Sequence, residues 1–246
     1  MTRTSLFAAA AVAALSLTAC DKGADKAATN TPIEQIQAPN GDWSAVVTET
    51  PEGGFLMGNP NAKVKLVEFG SLTCPHCREF DEQGVKPLID TYVKSGQVSF
   101  EFRNFVRDAA DLTATLVARC GGPASFFGMT RQLFADQPDW VGKIQSADPV
   151  TLQALETLPP QQKSIKFAEL LGLQDFAAQR GLPAAKVNAC LSDQGAIDRL
   201  VAMQTDAVSQ YQVPGTPAFL INNEMVTLDG TGTQWEQLEK KLRDAL

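Results

Sequence analysis

Three features of the sequence predict an α/β fold. A β-branched, apolar run at VKLVEF (64–69) and a return of β character at PAFLINN and EMVTLDG (217–230) supply the strands. Between them, residues 109 to 211 are helix-compatible almost throughout. An amphipathic segment, TQWEQLEKKLRDAL, follows as a closing helix.

The elements follow in order. WSAVV (43–47) reads as a short strand and GGFLMGNPNA (53–62) as a Gly-rich turn. VKLVEF is a buried strand, and the cysteine motif SLTCPHCREF (71–80) comes directly after it. A helix then extends to about Ser95, with Phe80, Leu88, Ile89, Tyr92 and Val93 on one face and Gly96 at its end. Gln97 to Phe102 alternates as a second strand. In the helical block, DLTATLVARC, ASFFGMTRQLF, KSIKFAELLGL, QDFAAQRG, AAKVNACL and AIDRLVAMQTDAVSQY are separated by Gly, Pro and Asp turns. Phe126, Phe127, Phe134 and Phe167 form apolar faces that read as core. This divides the folded region into residues 42–108, an inserted helical part at 109–211, and a return at 212–246.

Composition is that of a globular protein, 44% hydrophobic and 20% charged. A net charge of −7 leaves no basic surface for nucleic acid. The first residues stand apart from the fold. Arg3 precedes an apolar run of 12 residues, Leu6–Leu17, too short to span a bilayer and suited to a secretory signal over residues 1–19. It ends in Leu17-Thr18-Ala19-Cys20, which resembles a bacterial lipobox, with Cys20 as the lipidated first mature residue. Plain secretion and a buried apolar start are the other readings of this run. On the lipoprotein reading, Asp21 resembles an inner-membrane retention signal. Residues 20–41 are polar, Ala/Asn/Pro-rich and aperiodic, and read as a tether.

Five cysteines occur, at 20, 74, 77, 120 and 190; lipidation of Cys20 leaves an even set of four in an oxidising compartment. Cys120 and Cys190 have two readings, a second disulfide closing a 70-residue separation or two buried thiols. Cys74 and Cys77 have three. Zinc would need two further ligands, from Cys120, Cys190 and the only histidine, His76. An inert staple would need no more than proximity. A redox pair fits the local chemistry better, because a helix start offers unpaired N–H groups and a positive dipole end to a thiolate at Cys74. Pro75 suits the first helical turn, and His76 can add positive charge. Glu79, Asp81 and Glu82 oppose the thiolate, and Arg78 offsets them in part. Cys74, at the exposed lip of the turn, would attack, and Cys77, one turn inside, would resolve. A fall in the Cys74 pKa from about 8.5 to about 4.5 would stabilise the reduced pair by roughly 3.4 kcal/mol at pH 7, or about 70 mV.

KVKLVEFGSLTCPHCREF resembles the thioredoxin-fold oxidoreductases of the DsbA type, whose active site is also Cys-Pro-His-Cys. The match continues at Val213-Pro214-Gly215-Thr216-Pro217-Ala218-Phe219 and spans residues 42–246. It implies a thioredoxin fold with a large inserted helical domain. It also implies a cis Pro217 opposite the cysteines, with Thr216 pairing to substrate backbone, and Glu68 as a buried acid serving Cys77. On the residues alone, Glu68 could equally be a carboxylate emerging at a strand end. No cofactor or metal is implied. The expected partners are reduced or unfolded cysteine-containing envelope proteins and a quinone-linked membrane oxidase of the DsbB type, with the protein monomeric and lipid-anchored to the membrane on its periplasmic side. Thr216 departs from the valine of the enteric oxidase. The alternative is therefore an isomerase or reductase kept reduced by a DsbD-like partner, although residues 21–41 are too few for the dimerisation domain of enteric isomerases. A metal-binding lipoprotein is the remote alternative.

Overall fold

The computed structural model describes Met1 and residues 32–246. The signal-like run, Cys20 and residues 21–31 of the expected tether lie outside the described residues.

Six strands form one sheet in the order β1-β2-β4-β3-β5-β6. They are β1 Val47–Glu49, β2 Phe55–Gly58, β3 Val64–Gly70, β4 Val98–Asn104, β5 Ala218–Ile221 and β6 Glu224–Met225. β3 and β4 run parallel, and the other neighbouring strands pair antiparallel. The two central strands are buried almost end to end, which is why β3 reads as a near-continuous apolar run.

Alternation along β3 separates two cores. Val67 and Phe69 pack with Ala218, Leu220, Val213 and Ala207. Leu66 points to the opposite face, into the main core with Phe100, Phe102 and Phe219. Glu68 shares that face, since it is two residues from Leu66 and in register with Phe219.

The parallel β3–β4 pair is bridged by a helix that begins as α1, Pro75–Phe80, and continues through two π-helical segments, Asp81–Val85 and Leu88–Val93. Gly84 sits where a side chain would collide with the Phe80 ring and crowd Trp235. Gly96 takes φ +78° just beyond the helix, where the left-handed backbone favours glycine.

Eight helices lie between β4 and β5. They are α2 Ala109–Arg119, α3 Pro123–Ala135, α4 Gln137–Ser146, α5 Pro149–Glu156, α6 Pro160–Leu171, α7 Leu173–Ala178, α8 Ala184–Leu191 and α9 Gln194–Ser209. Phe126, Phe127, Phe134 and Phe167 all enter the main core; Phe126 stacks on Phe55 of β2 with ring centroids 4.2 Å apart. The closing helix α10, Gln234–Ala245, starts with a capping box between Thr233 and Glu236 and buries Trp235, Leu238 and Leu242.

Three expectations need correction. Trp43–Ala45 is a single 3-10 turn capped by Asp42, and the strand begins only at Val47. The Gly-rich turn contains β2, whose four residues are bracketed by turn signals strong enough to hide it. The tether is also shorter than expected. Ile36 N–H donates to Ser95 O at 2.7 Å, and the Trp43 indole donates to Ile36 O at 2.8 Å, so the chain is already seated on the domain there.

Candidate active site

Cys74 is the N-cap of α1, with Pro75 at the first helical position, so the unpaired N–H groups of the first turn converge on its sulfur. Cys74 and Cys77 carry free thiols. Contrary to the expected exposed lip, Cys74 is only 3% exposed, because the loop before β5 covers it. Its Sγ lies 3.2 Å from the carbonyl oxygen of Thr216. The Thr216–Pro217 peptide bond is cis.

Electrostatics separate the two thiols. Cys74 is drawn down to about 5 from 9.0, first by a hydrogen bond from the Cys77 thiol and then, against the cost of burial, by the Thr216 hydroxyl and the N–H groups of Cys77 and His76. Cys77 is fully buried and pushed well above the usual thiol range, by burial first and then by Cys74 and Glu68. Its sulfur accepts one N–H bond, from Ser71 at 3.5 Å.

Glu68 is 1% exposed, and its Oε1 has no hydrogen-bond partner among the described residues. Burial raises its pKa well above the usual carboxylate range, and Asp81 and Cys74 add to the shift. The His76 ring pairs with Glu79 at 3.4 Å. It is largely exposed, and His76 reaches Cys74 through its backbone N–H. Cys120 and Cys190 are joined by a disulfide at the C-terminal end of α2, the end away from Asp111, with Cα atoms 5.7 Å apart.

Four residues, three in the inserted block and Asp108 just before it, complete the site without any sequence signal to mark them. Asp108 and Asp111 at the start of α2, and Gln137 at the start of α4, grip the Ser71–Cys74 loop from opposite sides. Arg131 of α3 faces Asp81 at 3.6 Å, whose carboxyl burial pushes up to about 6. Asp111 reads in sequence as an ordinary first-turn acid; its loop partners Ser71 and Leu72 lie about forty residues away and have no local signature. Among the described residues there is no group of three His, Cys, Asp or Glu side chains arranged to hold a metal.

A paired cysteine at the end of a central strand, walled by a cis-proline loop, is how a thioredoxin fold presents its sulfur chemistry, and the helices between β4 and β5 are the DsbA-like elaboration of it. The family model described as Thioredoxin (Thioredoxin_4) matches residues 50–244, and the chain belongs to that family. Among solved structures, it is similar to a protein-disulfide isomerase from Novosphingobium aromaticivorans, at 34% identity and TM-score 0.71, covering 76% of this chain and 94% of that one. It shares its fold with Wolbachia pipientis alpha-DsbA1, at 21% identity and TM-score 0.61 over 79% of this chain and 90% of that one. A putative protein-disulfide oxidoreductase of Rickettsia bellii is 27% identical over 77% of this chain. The chain spans 65% of that relative's length and 61% of its Rickettsia felis counterpart, less than two thirds of either.

Proposed function

We propose that the chain is a thiol–disulfide oxidoreductase that introduces disulfides into reduced, unfolded proteins through Cys74 and Cys77. The observation that carries this reading is the separation of the two thiols, with Cys74 held near 5 while Cys77 is pushed up. A stabilised Cys74 thiolate favours the reduced pair and so makes the disulfide an oxidant.

A substrate thiolate attacks Sγ of Cys74 in the Cys74–Cys77 disulfide. A substrate–Cys74 bond forms, the Cys74–Cys77 bond breaks, and Cys77 leaves as a thiolate. Glu68, kept protonated by its burial, supplies the proton that Cys77 needs. A second substrate thiolate then attacks the substrate sulfur of the mixed disulfide. The substrate departs with a new disulfide, two electrons remain on the pair, and Cys74 is released as a thiolate. Thr216 and Pro217 line the groove where extended substrate backbone would lie.

The pair would be re-oxidised by a quinone-linked membrane oxidase of the DsbB type. The signal-like first 19 residues and Cys20 support an extracytoplasmic protein, anchored by lipid through a tether. Replacing Cys20 by alanine and following the protein between membrane and soluble fractions tests the anchor.

A second reading, isomerase or reductase, draws on Thr216 and on the protein-disulfide isomerase among the similar structures. Equilibration of the pair with glutathione separates the oxidase from a reductase, and trapping the redox state of the pair in cells separates it from an isomerase, which is kept reduced. A potential well above that of thioredoxin, about −270 mV, supports the oxidase, and one as reducing as thioredoxin overturns it.

A further inference from the structure

The segment that delivers Cys74, Ser71-Leu72-Thr73, is held residue by residue from the first turn of α2, outside the strand–helix unit that carries the cysteines. The Ser71 hydroxyl donates to Asp111 Oδ2 at 2.6 Å, and the Leu72 N–H donates to Asp111 Oδ1 at 2.8 Å. The Thr73 hydroxyl donates to Asp108 Oδ2 at 3.0 Å. A third donor to Asp111, the Arg107 N–H, reaches Oδ2 at 3.0 Å. On the other side, the Gln137 amide donates to Leu72 O at 2.7 Å and Cys74 O at 3.0 Å.

Asp111 is 1% exposed, and the three groups that hydrogen-bond its side chain are all donors, with the Asp108 carboxylate opposing its charge nearby. A carboxyl presenting acceptors on both oxygens meets all three, even though burial pushes its pKa up to about 7; an asparagine would turn an NH2 group toward an N–H or hydroxyl. Ser71 carries the connection onward, because its own N–H donates to Cys77 Sγ and its carbonyl accepts the Cys74 N–H at 3.1 Å. The peptide groups on both sides of Ser71 are therefore aimed at the redox pair, and Asp111 fixes how they are aimed.

We infer that Asp111 is a positioning residue for the redox pair, acting through Ser71 and Leu72, so that the inserted helical block sets the ease of reduction of Cys74–Cys77. Asp111 touches neither sulfur. Its loss lets the loop shift, and the N–H and hydroxyl donors no longer converge on the Cys74 thiolate. This role rests on the oxidoreductase reading above.

The test compares the full chain with Asp111→Asn and Ser71→Ala, reading the Cys74 thiolate midpoint by absorbance at 240 nm and the equilibrium of the pair with glutathione. Asp111→Asn is expected to raise the midpoint by at least about half a pH unit. It is expected to shift the equilibrium toward the disulfide at least about threefold, or about 14 mV. Ser71→Ala, which removes one of the three donors, moves both the same way by less. Leu155→Ala, a buried position in α5 away from the loop, lowers stability and leaves both readouts in place. An unchanged midpoint in a folded Asp111→Asn protein overturns the proposal, and so does a lowered one, which would mark a bare charge effect. If Asp111→Asn does not fold, Ser71→Ala decides by the same criteria. If the unmodified pair shows no exchange with glutathione, the oxidoreductase reading falls, and the Cys74 titration still decides the role of Asp111.

Discussion

Cys74 Sγ and the carbonyl oxygen of Thr216 lie 3.2 Å apart across 142 residues of sequence. The thiol donates to that carbonyl, and when the proton leaves, the donors around the sulfur take over. They are the Cys77 thiol, the Thr216 hydroxyl and two backbone N–H groups. The same pocket therefore accommodates both protonation states, with the balance tilted to the thiolate.

The reduced protein should show a thiolate transition at 240 nm with a midpoint of about 5. Cys77→Ala removes the largest stabilising contact and should raise it. Cys77→Ser keeps a donor at the same place and should fall between the two. Thr216→Val, which loses one hydroxyl, should raise the midpoint less than Cys77→Ala does.

Stability should depend on redox state and pH together. The folded Cys74 value lies below the unfolded one, so its stabilisation of the reduced protein is complete above the unfolded value of 9.0, shrinks as pH falls, and is lost below about 5. The oxidised protein has no such thiolate. In thermal melts across this range, the reduced form should gain stability relative to the oxidised form as pH rises from about 5.

Glu68→Gln removes a buried acid and keeps its shape. Because burial raises the Glu68 pKa, ionisation costs the folded state stability as pH climbs from 4.5 toward the folded value. The variant should be more stable than the parent at neutral pH and the difference should shrink as pH falls, read by denaturant titration. It should also turn over reduced substrate at least about a hundredfold more slowly, as loss of a proton donor predicts. Normal turnover would remove Glu68 from the mechanism.

Replacing both Cys120 and Cys190 by alanine opens a loop of sequence separation 70. Chain entropy predicts a loss of up to about 4 kcal/mol, measurable by denaturant titration. The Cys74 midpoint should stay where it is.

The sequence made the site's chemistry plain and its support invisible. Strand β3, the cysteine motif and the helix start form one local unit, and β-branched residues, Pro75 and the CxxC spacing favour its redox reading over a zinc site or a staple. The second wall was legible only through the family resemblance around Thr216 and Pro217. Asp111 and Gln137 could not be found, since a buried acid and amide that serve a distant loop look like any polar residues at helix starts. β2 was hidden by its flanking glycines and proline. The π-helical segments after Phe80 were hidden because their side chains still satisfy a helical stripe. The side-chain direction of His76 was equally beyond reach, as residue spacing does not say which neighbour a ring will choose.

The sequence distance between Cys74 and Thr216 also imposes an order in time. As the chain is made, the nucleophile emerges first, Asp108 follows 35 residues after Thr73, and Thr216 arrives 142 residues after Cys74. Until β5 docks against β3, Cys74 lacks the Thr216 hydroxyl and the cover of its loop. On the proposed oxidase reading, a growing or misassembled chain carries cysteines without a finished site, and reactivity toward other proteins' thiols is switched on by completion of the protein's own fold.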